Sequence, residues 1–295
     1  MRNKPYYSVR TGMHLPQGPS LDLVKNLFLA LYNRLQHQGY FHEYFGYSCV
    51  DEGDVEGKLG PDIENAFFLS LKKDGLWPIA TKLPDYVEGD LFDVMEFLFD
   101  CVSKPVEKYY HSFSNCGWHY TMFDQSLGQA EFQAEINKLL RDYQDGFEMS
   151  QEGEILSAVA PGFENLLDAE LPTDDLRNVK CKVNHAVLKF RRYSATVNDR
   201  HDAIRELADV LEFLRGQVKN VLNSSDESDL FNIINRFGIR HHNQQQKTDY
   251  DQAIWIRWMF YYFLATIHAV LRLIAKNEAG QNSAMEDIGA GDVES

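Results

Sequence analysis

A chain of 295 residues with 44% apolar side chains is long enough for two ordinary cores, and two domains are expected. A net charge of -15 argues against a surface that attracts polyanions throughout, and four widely spaced cysteines (Cys49, Cys101, Cys116, Cys181) without a C-x-x-C pair argue against a disulfide framework. Such cysteines suit reduced, mostly buried thiols.

The opening "MRNKPYYSVRTGMHLPQGPS" is polar and broken by prolines, so it is not read as an export signal, and a cytoplasmic protein is expected. Charge is unevenly placed along the chain. Residues 1–176 hold 13 Lys and Arg against 29 Asp and Glu, residues 177–276 hold 16 against 10, and residues 277–295 hold none against 5. That asymmetry fits an acidic module followed by one able to hold a phosphate backbone; it also fits an ordinary solvated surface.

From Leu21, "LDLVKNLFLALYNRLQ" places Leu23, Leu27, Leu31 and Leu35 on one helix face, with Ser20 as N-cap. A second helix is expected in "PDIENAFFLSLKK" from Pro61, with Asp62 and Glu64 at the positive end of its dipole and Gly75 as its stop. A third, "EGDLFDVMEFLFDCVSK", lines up Leu91, Val94, Met95, Leu98 and Val102 ahead of Pro105.

In "HSFSNCGWHY", His111, Cys116 and His119 fall within nine positions, a grouping that invites zinc. No C-x-x-C accompanies them, no fourth ligand is identified, and the aromatic neighbours suit a packed loop, so no metal is assigned. After a helix near Gln129 to Tyr143, "GFEMSQEGEILSAV" flanks Gln151-Glu152-Gly153 with two short apolar runs, a hairpin signal. The acidic, proline-containing "LLDAELPTDD" is the expected domain boundary.

Four helical segments follow. The first repeats Val179, Val183, Ala186, Val187 and Phe190, and the second Ile204, Leu207, Leu211, Leu214 and Val218. The third starts near Asp226, with Ser224 and Ser225 as candidate caps, and ends near Gly238; the fourth, starting near Tyr250 and Asp251, is apolar almost all round. Arg257, His268 and Arg272 interrupt that last run before the ~18 residues a membrane span needs, so a buried helix or a subunit interface is expected, with no membrane. Trp255 and Trp258 are read as core or interface rather than as base-stacking platforms.

Between the third and fourth segments, "NRFGIRHHN" places Arg236 and His241 five apart, a little over one helical turn, where Gly238 lets the helix unwind. A guanidinium fork matches a phosphate and an imidazole moves protons near neutrality, the two tools that cleave RNA through its own 2'-hydroxyl without a metal. Arginine and histidine are also favoured near helix C-termini simply because they offset the dipole there.

A C-terminal helical unit with Arg-x4-6-His ending its third long helix resembles the HEPN superfamily (higher eukaryotes and prokaryotes nucleotide-binding domains). "NRFGIRHHN" followed by "YDQAIWIRWMFYYFLATIHAVLRLI" looks like its abortive-infection, antiphage members. The resemblance spans roughly residues 176–276. It implies a metal-independent endoribonuclease without cofactor, active as a homodimer whose two motifs form one composite site on RNA.

Arg236 would then bind the scissile phosphate and His241 act as general acid or base; His242 closes Arg-x5-His from the same arginine and stays an alternative. Arg240, Asn235 and Asn243 would support them, while Phe237 stands where the family commonly has a polar residue. Lys189, Arg191, Arg192, Arg200 and Arg205 would form an RNA rim or two solvated helix faces.

The expected fold is therefore mainly α. It comprises an acidic helical domain over 1–172 with one small β-hairpin and a role in sensing a trigger or partner, a HEPN-like bundle of four or five helices over 173–276, and a disordered acidic tail over 277–295. The non-enzymatic alternative is a degenerate bundle serving dimerisation or nucleotide or nucleic-acid binding. No Walker A loop, G-x-S-x-G elbow or H-E-x-x-H motif is present.

Overall fold

Helix caps set the frame of the first part of the chain. In a computed structural model, which describes residues 7, 11, 18–159, 162–167, 169–223, 225–228, 231–232 and 251–289 (backbone only at 252–253 and 281–289), helix α1 spans Leu21–His37. Ser20 Oγ accepts from the Leu23 amide at 3.3 Å, as a serine N-cap should. The buried face of α1 is Val24, Phe28, Leu31, Tyr32 and Leu35. Leu23 and Leu27, expected on that face, are exposed, because the bulkier Phe28 and its neighbour Val24 turn the stripe by one position.

Helix α2, Ile63–Leu71, begins after Asp62, whose carboxylate accepts from Asn65 N at 2.9 Å, and stops at Lys72 in the left-handed region rather than at Gly75. Helix α3, Glu88–Cys101, buries Leu91, Val94, Met95 and Leu98 completely, with Val102 just beyond its end, as its pattern requires. Helix α4, Gln125–Leu140, is capped by Asp124 and buries Phe132, Ile136 and Leu140. Together with Phe41, Phe67 and the α1 side chains these residues form one core.

Three two-stranded antiparallel sheets accompany these helices: β1 (Tyr47–Cys49) with β2 (Gly53–Val55), β3 (Lys104–His111) with β4 (Gly117–Asp124), and β5 (Phe147–Met149) with β6 (Ile155–Ser157). The last is the hairpin legible around Gln151–Gly153. The other two add to it, and in both the strand signal is weak: β1 and β2 have three residues each, and β3 carries Pro105 beside a bulge. Proline is tolerated there because a two-stranded ribbon has only edges.

The chain divides into two units, Met1–Ala158 and Val159–Ser295, a division ahead of the acidic segment expected to mark it. Val159, Leu166, Leu167 and Leu171 pack on the second core. In this second unit α5 spans Cys181–Arg191, α6 Val197–Val221 and α7 Gln252–Gly289. Thr196 and Asp199 form a capping box on α6, while Asp251 accepts from Ile254 N at 3.2 Å near the start of α7.

The faces expected for α5 and α6 are those buried, with Val187 only partly so. Phe190 at the end of α5 stacks on Phe260, ring centroids 3.8 Å apart, and Arg200 near the start of α6 lies over the same Phe190 ring. Farther along, Leu271 and Ile274 of α7 share a groove with Gln217 near the end of α6 and with Lys180 ahead of α5. Helices α6 and α7 therefore run parallel, and α5 runs antiparallel to both.

The stretch Ile254–Gly280 is long and apolar enough to cross a bilayer, yet 56% of its most apolar window is buried inside this unit, as for a central core helix. Trp255 and Trp258 lie on its exposed side, edge to face at 5.3 Å. Helix α7 also takes in residues 277–289, the first part of the segment expected as a disordered tail.

Candidate metal centre

The two extra hairpins place the chemistry. The first turns over Val50, Asp51 and Glu52, so that Cys49 pairs with Gly53 at its tip; the second turns over residues 112–116, so that His111 pairs with Gly117 and Tyr109 with His119. On an antiparallel ribbon the diagonal neighbours His111 and His119 share a face. Their ring centroids are 5.3 Å apart, edge to face. The turn tightens through Ser114 (φ 47°), Asn115 (φ 57°) and Gly117 (φ +109°), which swings Cys116 back over the same face.

Sulfur and nitrogen donors then converge from both tips. One donor atom each from Cys49, His111, Cys116 and His119 lies within 4.8 Å of every other. Cys49 Sγ is 3.7 Å from His111 Nδ1, and Cys116 Sγ is 3.1 Å from His119 Nε2. Cys49 and His119 are buried, while His111 and Cys116 are half-buried.

The surroundings orient the imidazoles. His111 directs its other nitrogen, Nε2, at Asp51 Oδ2, 3.0 Å away, which sets the proton on Nε2 and leaves the Nδ1 lone pair facing Cys49. His119 is 2% exposed, wedged edge-on against Tyr47 at 4.8 Å and stacked on Tyr109 at 5.3 Å. Its Nδ1 is buried without a hydrogen-bond partner among the described residues. Burial and, secondarily, His119 hold His42 below the usual imidazole range, and His42 stacks on Tyr47.

Neither Cys49, His111, Cys116 nor His119 belongs to the main core of this unit. Two thiols and two imidazoles within 4.8 Å of one another make an S2N2 donor set of the kind a tetrahedral metal site uses, and four protein donors would leave no position open for a substrate. The fourth ligand that the local spacing of His111, Cys116 and His119 lacks is Cys49, brought to this place from 62 residues away. The signal for it is "YSCVDEGDV", a short hairpin with Cys49 at the end of its first strand and Asp51 in its turn. Of the other cysteines Cys101 is buried and Cys181 exposed, so the four do not form one class of buried thiols.

The residues expected to form a ribonuclease site, Arg236, His241, His242, Arg240, Asn235 and Asn243, lie outside the described residues. The suggested rim is largely engaged within its own unit. Lys189 pairs with Glu206, which also binds His185 at 2.7 Å, and Arg205 pairs with Asp202 at 2.6 Å. Burial pulls the Glu206 carboxyl upward, but Lys189 and His185 outweigh it and hold the group below the usual carboxylate range. Arg192 is exposed, Arg191 half-buried at the end of α5, and Arg200 lies over Phe190.

No family model matches this chain, and neither the curated proteins nor the solved structures yield a match.

Proposed function

We propose that the second unit is a metal-independent endoribonuclease of the HEPN, abortive-infection type, working as a homodimer on RNA. The observation that supports this is topological. Helices α6 and α7 run parallel in one core, and the sequence between Val221 and Gln252 that joins them includes Arg236, His241 and His242. In sequence, the Arg-x4-His motif lies ahead of the last long helix of the unit, and the resemblance asks for it at the end of the third.

In this reading Arg236 clamps the scissile phosphate and an imidazole takes the proton of the 2'-hydroxyl. The 2'-oxygen bonds to phosphorus, the bond to the 5'-oxygen breaks, and a second imidazole, His241 of the partner subunit, returns a proton to the leaving oxygen. Ile254, Trp255, Trp258 and Leu273, apolar and exposed along α7, fit a subunit interface.

The test is incubation of a folded RNA with wild type, Arg236→Ala and His241→Ala in buffer without added divalent ions, followed by mapping of ends. Cleavage that leaves 2',3'-cyclic phosphate and is abolished in both variants is expected. Intact RNA with a dimeric wild type would instead favour the degenerate scaffold, and a strictly monomeric chain at micromolar concentration would remove the composite site.

A further inference from the structure

We propose that Cys49, His111, Cys116 and His119 bind one zinc ion that pins the tips of the β1–β2 and β3–β4 hairpins together, with Asp51 as the carboxylate that orients His111. The juxtaposition itself carries the argument. A tetrahedral zinc, with Zn–S near 2.3 Å and Zn–N about 2.0–2.1 Å, spaces its donors roughly 3.3–3.8 Å apart. Of the two sulfur–nitrogen pairs, the one at 3.7 Å lies inside that range and the one at 3.1 Å just short of it, and the widest separation of 4.8 Å closes with side-chain shifts of about 1 Å.

Three further features point to a cation. Asp51 holds the distal nitrogen of His111, the arrangement in which a carboxylate fixes the tautomer of a metal-bound imidazole. His119 is 2% exposed and aims its Nε2 at Cys116 Sγ, 3.1 Å away, so a buried imidazole faces a sulfur inside the cluster. The outer part of the β3–β4 ribbon buries little: Tyr109, Tyr110, Phe113, Trp118 and Met122 are each close to half or more exposed. A two-stranded ribbon with so little burial is marginal in water, and a bond across the tips supplies order that burial there does not.

The donor set selects the metal. Two thiolates and two imidazoles, two of the four buried and two half-buried, favour zinc over the hard, oxygen-seeking magnesium and calcium, and four protein ligands make the ion structural. This inference does not use Arg236 or His241, so it stands or falls separately from the nuclease reading.

The experiment uses the full chain, reduced and purified without chelator. Elemental analysis is expected to give one zinc per chain. Replacement by cobalt is expected to give the intense visible bands of a tetrahedral site and near-ultraviolet thiolate-to-cobalt charge transfer. Cys49→Ala and Cys116→Ala should lose the metal, and Cys181→Ala, a cysteine outside the cluster, should keep it.

Since a ligand deletion can unfold the hairpins, Cys116→His serves as a second variant: it should retain one metal with the charge-transfer band reduced by half. Folded wild type that takes up no zinc when titrated would overturn the proposal. So would an unchanged stoichiometry in both alanine variants, or a metal-free chain carrying a Cys49–Cys116 disulfide.

Discussion

Asp51 offers the sharpest quantitative test of how the metal centre is built. Its carboxylate touches no donor atom of the metal; it acts only through His111 Nε2 at 3.0 Å. Loss of such an orienting partner typically weakens metal binding ~10–100-fold. The Asp51 side chain is 51% exposed, so water replaces part of the lost hydrogen bond and the low end of that range, about tenfold, is expected for Asp51→Ala. Asp51→Asn keeps an acceptor without the charge; a charge-assisted bond is roughly twice as strong as a neutral one, which places this variant between wild type and alanine.

By mass action, zinc at one hundred times its dissociation constant stabilises the folded chain by about 2.7 kcal/mol, and a tenfold weaker site leaves about 1.4 kcal/mol at the same free zinc. Competition against a chromophoric chelator measures the affinities, and denaturant titration at buffered zinc measures the second consequence. Asp51→Ala binding within twofold of wild type, or Asp51→Asn binding more weakly than Asp51→Ala, would refute the orienting role.

Other consequences follow from individual contacts. Phe190→Ala removes the ring stacked on Phe260 and the surface under Arg200, and should cost about 3–5 kcal/mol of unfolding free energy in a denaturant titration. Glu96 accepts from the Ile155 amide at 2.6 Å, but burial dominates and raises its pKa above the ordinary 4.5. The folded state therefore binds more protons, and stability falls as pH rises from 4.5 through the folded value. Glu96→Gln should be more stable than wild type at pH 7, with the gain vanishing below pH 4.5, as thermal melts across that range will show.

His268 behaves oppositely. It is buried in α7, and burial together with Arg272 lowers its pKa beneath 6.5, so the unfolded state binds the extra proton. Stability of the second unit should be complete above pH 6.5 and decline as pH falls through the window below it, and His268→Gln should flatten that decline in pH-dependent denaturation.

Where a segment's burial is decided by its own helix, the sequence was readable. The α3 stripe from Leu91 to Leu98 and the α6 stripe from Ile204 to Val218 are buried as periodicity demands, because each helix meets its core along one face. In α1 Leu31 and Leu35 are buried as periodicity demands, but Leu23 and Leu27 give way to Val24 and Phe28, because which set turns inward there depends on partners in α4 and around Phe41, far away in sequence. The two unforeseen hairpins share that character. Their strands carry little alternation because much of the β3–β4 ribbon faces water on both sides, and alternation records burial on one face only.

The metal centre shows why spacing rules mislead when a ligand set is split. His111, Cys116 and His119 were visible together because one turn holds them, whereas Cys49 belongs to a different hairpin, and local spacing carries no information about a contact that tertiary structure makes. The more telling sequence clue was compositional: a cysteine and an aspartate two residues apart in a tight turn, in a protein where a second tight turn offers three donors. Two ribbons, each too small to be stable alone, can both be ordered if they share one bond, and an S2N2 donor set supplies that bond where the tips meet. The same logic sets the order of loss on metal removal. The hairpin tips should exchange their amides before the α1–α4 core does, because that core is complete without any of the four ligands.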